Sequence, residues 1–141
     1  MAEEPRIKAF VLMAGYPSDT DAWRHNPHPF FARQRETLGP ERLEEFCSYL
    51  APCDADRYVG APPSATGSAP RRAAAPASLL FQWATRDEWI TQDDAHRYFA
   101  IAREPKEQLT YEADHFFSEA PEAQRDRSRW LGERLGLLAS P

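Results

Sequence analysis

The sequence predicts an α/β fold built on a short parallel sheet, and three observations carry that expectation. A nearly continuous apolar run at 7–14 ends at Gly15, the pattern of a strand buried on both faces. From 78 to 138 the pattern reads strand, loop, helix, strand, loop, helix, a crossover unit with a closing helix. Val and Ile together number only 5 of 141 residues, too few β-branched side chains for a large all-β sheet.

The length predicts one domain, 1–141. Leu, Ile, Val and Phe make up 24 of 141 residues, below the ~20% level at which disorder becomes a concern. A net charge of only -5 and 12% aromatic residues place the chain among folded proteins with a thin core. With a pI near 5.4 there is no basic footprint for nucleic acid. No apolar stretch reaches the ~18 residues that span a membrane. The start of the chain lacks the basic and apolar regions of a secretory signal. Cys47 and Cys53 match neither a redox nor a zinc spacing. Together these predict a cytoplasmic protein with reduced thiols.

Each element follows from local pattern. Residues 16–21 read as a turn-rich loop. Residues 29–50 read as helical, with Phe30, Phe31, Gln34 and Leu38 at helix spacing. Gly39 and Pro40 interrupt, and a second helix carries Leu43, Phe46, Cys47 and Leu50 on one face. Residues 61–77 hold four Pro and no large apolar side chain, which predicts a mobile loop. Residues 78–84 and 107–112 are strand candidates. Between them 91–103 reads as a helix with Thr91 as N-cap, Asp94 three residues on, and Ala95, Tyr98, Phe99 and Ala102 on one face. The last helix is expected over 121–138, with an apolar stripe of Ala123, Trp130, Leu131, Leu135 and Leu138. Its Arg125, Arg127 and Arg129 read as a solvated face.

A strand–helix–strand crossover makes the two strands parallel, so the loops after them share one edge of the sheet, where open α/β sheets bind ligands. One loop carries Asp87 and the other His115. An Asp beside a His is the orienting half of a nucleophilic triad. Glu88 is expected in solvent, Asp93 and Asp94 at the helix cap, and His96 exposed. Asp19, Asp21, His25 and His28 do not make a metal site, because Pro27 and Pro29 keep the two histidines off a common helix face. Trp23, Trp83, Trp89 and Trp130 read as core or pocket wall.

Leu79-Leu-Phe-Gln-Trp-Ala-Thr-Arg-Asp87 resembles the penultimate strand and acid loop of α/β-hydrolases, and Tyr111-Glu-Ala-Asp-His115-Phe-Phe resembles their last strand and histidine loop. Residues 7–15 are similar to the strand before the cap insertion, which 20–58 would form. The nearest resemblance is to the dienelactone-hydrolase and esterase or peptidase branch. The resemblance implies a partial α/β-hydrolase fold, a helical cap, a C-terminal helix, no cofactor and no metal, and a small-molecule ester or acyl substrate. It implies Asp87 and His115 as catalytic acid and base. Ala84 stands where the family has Gly, and the resemblance covers only the C-terminal half of the fold.

The family's nucleophile lies in a G-x-S-x-G elbow, and this sequence contains none. Ser18 lacks flanking glycines, Cys47 sits inside an amphipathic helix, and Ser64 and Ser68 fall in the Pro-rich stretch. The reading is therefore a truncated hydrolase carrying two of three triad roles. The other reading is a non-catalytic interaction protein. Either way an open sheet edge at 7–14 is expected to drive homo-oligomerisation.

Overall fold

The computed structural model describes residues 7–59 and 77–137. Along the chain run β1 (Ala9–Met13), α1 (Asp19–His25), α2 (Pro29–Leu50), a 3-10 turn (Ala51–Cys53), α3 (Asp56–Val59), β2 (Ser78–Ala84), α4 (Gln92–Ile101), β3 (Lys106–Tyr111) and α5 (Pro121–Arg134). The fold is α/β. The stretch expected to be a mobile loop lies outside the described residues except for Ala77.

The strands form one parallel sheet in the order β1-β2-β3. In the centre, β2 is buried on both faces from Leu79 to Ala84, which is why its sequence is apolar there except for Gln82. Leu79, Phe81 and Trp83 pack with Ile90, Ala95, Tyr98 and Ala102 of the α4 segment. On the opposite face Ala84 packs with Tyr111, Ala113, Phe117 and Ala123.

The double burial expected of 7–14 is not found. β1 is five residues long, half-buried from Ala9 to Leu12, with Met13 exposed. Its one strand neighbour among the described residues is β2, so an apolar run here marks an edge. Ala14 ends the strand at φ 42, a left-handed conformation rare for a residue other than glycine, while its N–H still bonds Gln82 O.

The loop expected at 16–21 is partly helix. Ser18 is the N-cap of α1 and accepts the Asp21 N–H at 3.0 Å. Asp19 and Asp21 lie in the first turn, where the helix dipole favours acids. α2 breaks at Gly39 (φ 71, ψ 167) and restarts at Pro40, as the sequence leads one to expect. Cys47 is fully buried on the second half, and Phe31 is buried on the first, where Phe30 stands exposed.

Thr91 caps α4: its hydroxyl oxygen accepts the Asp94 N–H at 3.0 Å, and the hydroxyl donates to the Asp94 carboxylate. α5 ends at Arg134, with Gly136 at φ 67. The Leu137 N–H reaches Gly132 O and the Gly136 N–H reaches Glu133 O, a Schellman closure that calls for glycine. Leu135 is exposed as a result, so it does not extend the apolar stripe, and Leu138 lies outside the described residues. Arg127 is not part of a solvated face. It turns toward the sheet, bonding Gln82 Oε1 at 3.3 Å and the Met13 sulfur. No helix among the described residues is long and apolar enough to cross a membrane.

Candidate functional site

Thr85 N–H donates to Tyr111 O at 2.9 Å and Arg86 N–H to Ala113 O at 3.0 Å. These bonds continue the β2–β3 ladder past the strand ends and draw the two following loops together. Asp87 and His115, 28 residues apart in sequence, meet there: His115 Nδ1 lies 3.1 and 3.0 Å from the two carboxylate oxygens.

The acid is set inside and the histidine opens outward, with side-chain exposures of 2% and 28%. Asp87 Oδ1 also accepts the Trp89 N–H at 2.8 Å and the Ile90 N–H at 2.9 Å, so the carboxylate folds its own loop as it faces the imidazole. A carboxylate only accepts, so Nδ1 carries the hydrogen and Nε2 of the neutral ring keeps its lone pair. Among the described residues, the side chain of His115 hydrogen-bonds Asp87 alone.

The histidine loop has its own brace. Asp114 Oδ1 accepts the Phe116 N–H at 3.1 Å and the Ser118 N–H at 3.0 Å. These bonds, the Ser118 amide foremost, hold the Asp114 carboxyl below its ordinary range. Phe117 closes the turn at φ 57. Sequence reasoning passed over Asp114, although an Asp that bonds the backbone two residues on is a known turn device.

His115 lines a cavity of about 180 Å³ with Arg86, Glu88, Trp89, Asp114 and Phe116. The Trp89 ring lies 6.0 Å and the Phe116 ring 5.2 Å from the imidazole, centroid to centroid. Arg86 is paired with Glu119 at 2.9 Å. A larger cavity, about 860 Å³, lies away from this pair between α1, α3 and α4. Much of its charge is already engaged: Asp21 with Arg97, Arg24 with Glu44, and Asp54 with Thr20.

The helical stretch between β1 and β2 reaches the acid loop at the α1–α2 joint. Asn26 Nδ2 donates to Trp89 O at 2.8 Å and to the Tyr16 hydroxyl oxygen at 3.2 Å, and the Tyr16 hydroxyl donates to Trp89 O at 2.8 Å. Burial, and next the Asp87 carboxylate, raise the Tyr16 hydroxyl well above its ordinary value, so it stays a donor. His28 stacks on Trp89 with centroids 4.2 Å apart. No side-chain pattern in the sequence points to Asn26 or Tyr16.

The remaining candidates have other work. Ser18 caps α1 and bonds Thr20. Cys47 is buried, which pushes its thiol up and disfavours the thiolate. Ser64 and Ser68 lie outside the described residues. Asp94 accepts the hydroxyl of the Thr91 cap and pairs with Arg97, while Asp93, Glu88 and His96 are exposed. His25 pairs with Asp21 at 2.8 Å, so it and His28 serve different neighbours. Among the described residues no three His, Cys, Asp or Glu side chains converge as a metal site. Comparison with family models, curated proteins and solved structures gives no match.

Proposed function

We propose that this chain carries the acid and the histidine of an α/β-hydrolase-type acyl-transfer site acting on a small-molecule ester or related acyl compound. The observation that carries the reading is the Asp87–His115 contact at 3.0 Å, made between loops that leave the carboxyl ends of adjacent parallel strands. In this reading the helical stretch 19–59 corresponds to a cap, and Trp89 and Phe116 give aromatic walls to a cavity beside the base that Arg86, Glu88 and Asp114 also line.

The chemistry is general-base catalysis of acyl transfer. A nucleophilic hydroxyl attacks the acyl carbon while His115 Nε2 removes its proton. The imidazolium then returns a proton to the leaving group, and Asp87 holds the tautomer and offsets the positive charge. Among the described residues no serine or cysteine side chain hydrogen-bonds His115, so the reading assigns the nucleophile elsewhere. The proposed compartment is the cytoplasm, where Cys47 and Cys53 remain the free thiols seen here.

A second reading, an interaction protein without catalysis, is favoured by the half-buried edge strand β1 and by Phe116, which is 76% exposed. Hydrolysis of an activated acyl ester separates the two. The 141-residue chain should turn over only slowly: in the hydrolase family the oxyanion donors, like the nucleophile, come from outside the half this chain resembles, and losing even one such donor costs about 100- to 1000-fold. That slow turnover should vanish in His115→Ala and fall in Asp87→Asn. Turnover unchanged in both variants defeats the acyl-transfer reading. Robust turnover with serine labelling by a fluorophosphonate overturns the assignment of the nucleophile.

A further inference from the structure

We propose that Asn26 and Tyr16 are positioning residues for the Asp87–His115 pair, and that the helical stretch 19–59 acts on the pair by gripping the main-chain carbonyl of Trp89. The functional meaning of this grip rests on the acyl-transfer reading above; the geometry itself does not.

Trp89 is held at three points. Its N–H donates to Asp87 Oδ1 at 2.8 Å. Its carbonyl accepts from both Asn26 Nδ2 and the Tyr16 hydroxyl, each at 2.8 Å. Its ring is stacked by His28 at an interplanar angle of 23°. A residue fixed at its amide, its carbonyl and its ring has little freedom left, so a shift of the α1–α2 joint passes through Trp89 to the carboxylate, and from there to the imidazole 3.0 Å away. Such contiguous hydrogen-bonded chains are the physical means by which one element biases another.

Asn26 is 6% exposed, and the two ends of its amide do separable jobs. Oδ1 accepts the His28 N–H at 2.8 Å and shapes the joint, while Nδ2 reaches across to the acid loop. The joint has independent support, because Arg35 donates to Asn26 O and to Trp23 O. Asn26→Ala therefore removes the donor that grips Trp89 without adding a charge, while Arg35 still braces the joint. Tyr16→Phe keeps the ring contact with Phe31 and removes the other donor. Neither variant alters a group in direct contact with His115, and Arg86, Glu88 and Asp114 around its cavity are unchanged.

The readout is the imidazole of His115, followed by nitrogen NMR through a pH titration of the labelled 141-residue chain. Asp87→Asn sets the full effect, a weaker hold on the proton. Asn26→Ala and Tyr16→Phe should each move the protonation equilibrium in the same direction, by about two- to tenfold, and His96 on the exposed face of α4 should not move. Gln82→Leu, on the α5 side of the sheet, is the control for a merely destabilising change and should leave His115 where it is. A His115 titration unmoved in both grip variants, yet shifted in Asp87→Asn, overturns the grip, and so does an equal shift in Gln82→Leu. No shift in Asp87→Asn overturns instead the reading of the pair. Tyr16→Phe, which deletes a single hydroxyl, keeps the test available should Asn26→Ala fail to fold.

Discussion

Replacing Asp87 by Ala and by Asn separates its two roles. The carboxylate is 2% exposed, and it accepts two backbone N–H bonds at 2.8 and 2.9 Å besides facing His115. Hydrogen bonds to a charged group contribute about 1.5–3 kcal/mol each, and a buried donor left unmatched costs about 1–3 kcal/mol. Ala leaves the Trp89 and Ile90 amides without their acceptor, and Ile90 is itself buried. The expected loss is about 3–5 kcal/mol, a large share of the ~5–15 kcal/mol that holds a domain together. Asn keeps an oxygen for both amides and loses the charge and the second acceptor facing His115, so about 1–2 kcal/mol should go. Urea unfolding followed by tryptophan fluorescence measures both, with the slope checked for constancy. A cost below about 1 kcal/mol for Ala, or equal costs for Ala and Asn, would refute the view that Asp87 shapes its loop as well as facing the imidazole.

Other outcomes are expected. Gln82→Leu should cost about 1–3 kcal/mol in the same assay, since its amide is fully buried and bonds Tyr111, Ala123 and Arg127. Trp83→Phe next to it should cost clearly less than an ordinary core truncation, because the buried indole N–H has no partner among the described residues. Burial opposes the charge of Asp54, but hydrogen bonds from Thr20 outweigh it, and the carboxyl sits below its ordinary 3.8. Asp21 is held below 3.8 as well, by Arg97 and then His25. A depressed folded value gives stability that is complete above the unfolded value and lost as pH falls through the folded one. Unfolding free energy should therefore drop between about pH 5 and about pH 3, and less so in Asp54→Asn with Asp21→Asn; an identical drop contradicts this. Finally, the β1 edge, unpaired among the described residues, should pair copies of the chain at micromolar concentration, and Val11→Lys should reduce that association in light scattering. A monomer in both proteins removes the edge as an interface.

The parts legible in the sequence were those written in local pattern. The apolar run of β2, the Thr91 cap and the Gly39-Pro40 break each follow from nearest neighbours along the chain. The Asp87–His115 encounter was legible for a topological reason: adjacent parallel strands deliver their following loops to one edge. Composition does not say whether an apolar strand is central or at an edge, and so β1 was expected to be buried. α1 was hidden because Ser18, Asp19 and Asp21 suit a turn as well as a helix start. Arg127 looked like one more solvated charge, since its partner Gln82 is a polar residue inside an apolar strand. The grip on Trp89 was beyond reach, because its acceptor is a main-chain carbonyl that leaves no mark in the residue pattern.

The most direct test of His115 as the working base is the pH dependence of ester hydrolysis under single-turnover conditions, with protein in excess over p-nitrophenyl acetate. The chain has four histidines, and each can be titrated separately by NMR in the same buffer. The account predicts that the rate rises with pH along the deprotonation curve of His115 and of no other histidine, and that the inflection disappears in His115→Ala. A rate that follows His25, His28 or His96, or that climbs without inflection as hydroxide alone would make it, contradicts the account.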